Sequence, residues 1–188
     1  MRKKDPTTRQ RIIAVAREKF MSIGYEKTST RVIAEEVGTT QPNLYHHFKN
    51  KQTLYVAVLE TVANEVEKEL INFVADEHLT IEETLMAMTL YLRETNPIDI
   101  YSMLKDMDLM LDKETKEALY RIFLAKYKVP FTNLFQSISS QLTEEIDPNS
   151  IASYYFMTIA PYISPDAEKH HLMNLSEVIH LFLHGVLK

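Results

Sequence analysis

Gly38-Thr39-Thr40-Gln41-Pro42-Asn43-Leu44-Tyr45-His46-His47-Phe48-Lys49-Asn50-Lys51 is a short helix with a hinge before it and a basic exit after it. Gly38 can take positive φ, so it can stop one helix and turn the chain. Thr39 or Thr40 can cap the next helix, and Pro42 is tolerated because first-turn amides lack helical partners. Leu44 and Phe48 lie four residues apart and share an inward face. Gln41, Asn43, Tyr45, His46 and His47 are left on the other faces, the layout of a helix that reads DNA. Working backwards, Thr7 and Gln10 have capping-box spacing. Ile12, Ile13, Ala16 and Phe20 form an apolar stripe, and Gly24 ends that first helix. Ser29 or Thr30 opens a second helix that runs to Val37. Three short helices, the last two joined by a glycine turn, predict a helix-turn-helix headpiece.

Charge supports the same reading. Residues 1–51 carry 11 Lys/Arg against 5 Asp/Glu, whereas residues 52–188 carry 10 against 21. A basic head on an acidic body predicts that the head alone meets a polyanion. The 188-residue chain has no cysteine, which excludes disulfides and thiolate metal sites. It has no apolar run long enough to span a bilayer and no apolar N-terminal run of the signal-peptide kind, so the expectation is a cytoplasmic protein with no membrane partner. Three glycines among many Leu, Ile, Ala and Glu predict an all-α chain.

The run from Thr7 to Leu59 resembles the DNA-binding domain of the tetracycline-repressor (TetR) family. The matching features are Phe20, Gly24-Tyr25, Thr28-Ser29, Ile33-Ala34, Gly38, Leu44-Tyr45, His47-Phe48, Lys51 and Leu54. The resemblance implies a helix-turn-helix DNA-binding domain over residues 1–50 and a larger helical effector-binding and dimerisation domain over 51–188. It implies base reading by Arg31, Gln41, Pro42 and Asn43. The amides of Gln41 and Asn43 can pair with adenine or other base edges, Pro42 can touch a thymine methyl, and guanine is the natural target of Arg31. It further implies phosphate contacts from Ser29, Thr30, Thr40, Tyr45, His46, His47 and Lys51, which set register and carry little sequence information.

Beyond the headpiece, periodicity predicts about nine helices in all. Asn50 caps a long fourth helix whose Leu54, Val58, Val62, Val66 and Leu70 recur every four residues. A fifth spans about 81–94 behind a Thr80–Glu83 capping box, a sixth about 98–109, and a seventh runs from near 112 to 142 with a kink at Pro130. An eighth starts at Asp147-Pro148 and a ninth runs from about 171 to 187. The ninth is apolar over most of its circumference, so one side can pack on the body and the other wants a partner. The resemblance implies a homodimer formed through the last two helices, with Tyr155, Ile179, Phe182, Leu183, Gly185 and Val186 at the interface.

Met86, Tyr91, Met103, Met107, Tyr120 and Tyr154 fit either a packed core or an adaptable pocket, and the resemblance implies a pocket for a small hydrophobic or aromatic effector. His180 and His184, four residues apart, have metal-sharing spacing but lack a supporting motif, so no metal and no cofactor are expected. No phosphate loop, cysteine nucleophile or nucleophile elbow appears, and an enzyme is not expected. The implied function is a ligand-responsive repressor that binds an inverted-repeat operator in double-stranded DNA as a homodimer and is released by a small molecule. The alternative is a regulator controlled by a protein partner or by no ligand.

Overall fold

A computed structural model describes residues 7–95, 111–142, 146–163 and 173–187. Among these residues the regular structure is helical: α1 Thr8–Lys27, α2 Thr30–Val37, α3 Gln41–His47, α4 Lys51–Val74, α5 Ile81–Thr95, α6 Lys113–Ile122, α7 Val129–Ser137, α8 Pro148–Ile159 and α9 Leu175–Val186. The expected sixth helix over 98–109 lies outside the described residues. Packing divides the chain into two compact units. One holds the described residues up to Val62 together with Leu111–Leu119; the other begins at Ala63 and takes in Tyr120 onward.

In the first unit, local chemistry sets each helix end. Thr7 and Gln10 form the capping box reciprocally. Gly24 breaks the helix at φ 81°, but the chain resumes helical geometry to Lys27, so the glycine is a kink rather than a terminus. Ser29 holds the N-cap position of α2 without a side-chain bond, and Gly38 closes that helix at φ 73°. Thr40 caps α3 by accepting from the Asn43 amide (3.3 Å). Asn50 caps α4, its Oδ1 accepting from the Thr53 amide (2.8 Å). Ile12, Ala16, Ile33, Leu44, Leu54 and Val58 are all but fully buried and form the core. The start of α6 joins this unit: the Gln52 side-chain amide donates to Asp112 (2.6 Å) and to Thr115 Oγ1 (2.8 Å).

In the second unit, α7 packs on α8, and α9 packs on both α8 and α5. Tyr155 is fully buried at its centre, with Phe131 and Phe182 rings at 5.5 and 4.9 Å. Its hydroxyl meets Thr89 Oγ1 (2.7 Å) and the Leu85 carbonyl (3.3 Å), and burial pushes the phenol well above its ordinary pKa. Between α6 and α7, Phe123–Lys128 is a π-helix. Pro130 has no amide proton to close an α-turn and crowds the carbonyl four residues back, so the preceding turn widens. Two expected bounds shift. The seventh helix ends at Ser137 rather than 142. The ninth opens at Leu175 rather than 171, because Asn174 and Glu177 form a capping box there.

Candidate nucleic-acid interface

α3 is only seven residues long, and its one fully buried side chain is Leu44. With Phe48 beneath its end, that anchor turns the rest of the helix outward. Pro42, Asn43, Tyr45 and His46 are exposed, and Gln41 and His47 are half-buried. The two amides are held, not loose. Asn43 Nδ2 donates to Thr39 Oγ1 (2.7 Å) and Gln41 Nε2 donates to Thr30 Oγ1 (3.1 Å). Thr39 was missed as a site residue, although its place four residues before Asn43 is the spacing at which helical neighbours meet. Arg31, on α2, pairs with Glu35 (3.0 Å), both largely exposed. Such a pair is weak in water, so the guanidinium is free to exchange partners.

Several expected phosphate contacts have other engagements. Thr30 is buried. Thr40 is exposed but its hydroxyl caps α3. Ser29 is exposed with no capping bond. The Lys51 ammonium lies 4.5 Å above the Tyr25 ring and donates to the Glu26 carbonyl (3.1 Å). Partial burial there holds its pKa below the ordinary lysine value. Lys51 thus bolts the start of α4 to the end of α1, where the helix carbonyls carry negative charge. Arg9, not singled out from the sequence, lies 5.1 Å from the ring centroid of Phe48, the residue that closes α3.

Four of the six proposed pocket residues are described, and they stand on three helices, α5, α6 and α8. Met103 and Met107 lie outside the described residues. Tyr120 and Tyr154 are 57% and 61% exposed, and Tyr154 stacks on Phe182 at 5.8 Å. Met86 and Tyr91 are half-buried on α5, with Tyr91 edge-on to Phe73 at 5.8 Å. The π-helix supplies aromatic groups that sequence reasoning missed, Phe123 and Tyr127. Phe123 meets Phe156 at 5.3 Å, and burial pushes the Tyr127 phenol up to about 12.

Five of the six expected dimer residues face inward. Tyr155 and Ile179 are fully buried, and Phe182, Leu183 and Val186 nearly so, within the protomer itself. Gly185 lies on the other side of α9, with exposed Leu181 and, on α8, exposed Tyr154 and Met157. His180 and His184 sit on α9 with ring nitrogens 2.8 Å apart, and Glu82 lies 3.8 Å from His180. Among the described residues no group of three metal-ligating side chains is assembled.

Residues 12–58 match the family described as bacterial regulatory proteins, tetR family. The class C tetracycline repressor protein of Escherichia coli is 43% identical over 54 residues, which is 29% of this chain and 25% of that repressor's length. The chain thus spans about a quarter of the curated relative it matches. Across nearly the whole chain, solved structures share the fold at low identity. A candidate TetR-family regulator from Mesorhizobium loti covers 96% of this chain and 97% of its own (TM-score 0.74, 19% identity). FadR from Bacillus subtilis, in complex with stearoyl-CoA, covers 93% and 97% (TM-score 0.67, 19% identity). Headpiece sequence and whole-chain fold agree: residues 12–58 match the TetR family of bacterial regulatory proteins, and the chain as a whole shares the fold of a TetR-family structure.

Proposed function

We propose that the protein is a DNA-binding transcription repressor that acts as a homodimer on an inverted-repeat operator and is released by a small molecule. The observation that carries this reading is α3 itself: a two-turn helix seated by one buried leucine, with Pro42 and Asn43 exposed, Gln41 half-buried and a basic sequence around it. Such a helix has no core to build beyond its anchor, and amides held by neighbouring hydroxyls suit a major-groove reader. Arg31 is the further base reader. Tyr45, His46, His47 and Ser29 are the phosphate contacts. Lys51 acts chiefly by positioning α4. The partner face is the exposed side of α8 and α9, Tyr154, Met157, Leu181 and Gly185. A Cβ at Gly185 would meet nothing within 4 Å in the protomer, so the protomer's packing does not demand a glycine there.

Selection of bound DNA from a random pool tests the reading. A symmetric dimer sets its two reading helices about one helical turn apart, ~34–36 Å, so an inverted repeat is the expected product. Gln41→Ala should then lower affinity for that site by ~1–3 kcal/mol and relax preference at one base step in each half-site. A protein that retains all sequences equally, or a mutant with unchanged preference, refutes the assignment.

The effector is a small apolar or aromatic molecule held in the second unit near Met86, Tyr91, Phe123 and Tyr127. Half-buried methionine and aromatic rings beside a π-turn can repack around a guest. FadR, which shares the fold, is solved with the long-chain ligand stearoyl-CoA, and that supports an apolar guest. Linkage makes a firm demand: an effector that lowers operator affinity must itself bind more weakly, by the same factor, when operator is present. Calorimetric titration of a thermal-shift hit with and without operator checks this, and equal affinities disqualify the compound.

A further inference from the structure

Thr30 holds the first position of α2, where the family resemblance implies a phosphate contact. It is only 7% exposed. Among the described residues its hydroxyl has two partners, both on α3: Gln41 Nε2 donates to it at 3.1 Å, and Tyr45 Oη lies 3.0 Å away. A hydroxyl has one proton to give and two lone pairs to offer. If Tyr45 donated as well as Gln41, the buried Thr30 proton would have no acceptor, a state that buried hydroxyls avoid. With Gln41 Nε2 donating, the satisfied order is Gln41 to Thr30 to Tyr45. Tyr45, 40% exposed, then keeps its own phenolic proton for a group outside the protein. A phosphate oxygen, which only accepts, is the group that matches.

We propose that Thr30 is a positioning residue for DNA reading: without touching DNA, its hydroxyl couples the flip of the Gln41 amide to the direction of the Tyr45 proton, so that a Tyr45 donating outward goes with a Gln41 whose Nε2 is turned inward. This rests on the DNA-reading role proposed above. An unrestrained glutamine can turn its amide over, exchanging donor for acceptor at no cost in shape. With Nε2 turned to Thr30, Oε1 is left as the unengaged acceptor and matches the amino group of adenine or cytosine. Asn43, whose Nδ2 is turned to Thr39, is left with the same pattern. One buried hydroxyl thus ties what α3 reads to how the phosphate backbone is gripped.

The test uses full-length protein with the DNA recovered by pool selection, and with that DNA changed at the base step where Gln41→Ala loses preference. Thr30→Val removes the hydroxyl at nearly constant shape. The ratio of the two affinities should fall roughly three- to tenfold, the range of one neutral hydrogen bond. Thr30→Ser should restore the ratio, and Thr30→Val should have no further effect on it in a Gln41→Ala background. Thermal melts report whether Thr30→Val folds. If it does not, Tyr45→Phe, at an exposed position, carries the test. Without the phenol oxygen the Thr30 proton turns to Gln41, so base preference at that step should change. A mere phosphate contact would weaken all sequences alike. An unchanged ratio in Thr30→Val, additive effects with Gln41→Ala, or uniform weakening in Tyr45→Phe overturns the proposal. Wild-type protein that selects no site overturns the DNA-reading role and this inference with it.

Discussion

Replacing Leu181 with glutamate is expected to leave the protomer folded while breaking the dimer and, with it, operator binding. Leu181 is 58% exposed in the single chain, and Tyr154 and Met157 on α8 are exposed as well. Exposed apolar side chains on the last two helices are what a partner would cover. Burying a leucine contributes about 1.5–3 kcal/mol, and a two-fold interface counts each position twice. The glutamate also brings a carboxylate that would lose its water without gaining a partner. Dimerisation should weaken by more than ~10³-fold, since each 1.4 kcal/mol is a factor of ten. Affinity for the inverted repeat should fall at least ~100-fold, because a monomer grips one half-site only. Sedimentation velocity and operator titration measure both. A Leu181→Glu protein that sediments unchanged would show that this face is not the interface. Ile179→Ala is the contrast: with no exposure in the protomer, it should damage folding itself by ~2–5 kcal/mol.

That contrast marks where sequence reasoning ran out. An all-round apolar helix announces that it has two covered sides, but not which residues face which. The deciding partners of the buried side are distant. The Tyr155 hydroxyl is satisfied by Thr89 and Leu85, 66 and 70 residues away. The resemblance implies a phosphate contact for Lys51, and its partners within the protomer lie 25 and 26 residues earlier, on Glu26 and Tyr25. The π-helix before Pro130 is a further case. Proline announces a disturbance, and only the packing around it decides between a kink and a widened turn. The headpiece was legible for the opposite reason. Thr7 with Gln10, Gly38, Thr40 with Asn43, and Asn50 with Thr53 are contacts within three or four residues, or single backbone requirements, and such signals survive in a linear sequence. Thr30 lies between these cases. Its place at the helix start was visible, but its burial was not.

The same short-range economy makes α3 vulnerable, and Leu44→Ala should abolish DNA binding although Leu44 is fully buried and meets no DNA. Seven residues make about two turns, far short of the ~12–15 an isolated helix needs in water, so packing holds α3 in place. Leu44 is the main anchor, assisted at the helix end by Phe48 under the Arg9 guanidinium. Truncating a fully buried leucine costs about 2.7–5 kcal/mol, the spread reflecting how far the site collapses. A unit of about seventy residues holds roughly 4–10 kcal/mol in all. The single change therefore removes a large share of what keeps the headpiece folded. The core of the second unit, centred on Tyr155 and Phe131, is untouched. Melts followed by circular dichroism should show a lowered first transition while most helicity persists, and amide exchange in α3 should rise towards that of an unfolded segment. Loss of operator affinity should exceed that of Gln41→Ala and should appear on every sequence. Leu44→Met, which keeps most of the volume, should restore most of the binding, since near-isosteric swaps cost under about 1.5 kcal/mol. If Leu44→Ala bound the selected site normally, α3 would be held by something other than this anchor, and the exposure of Gln41, Pro42 and Asn43 could no longer be traced to it.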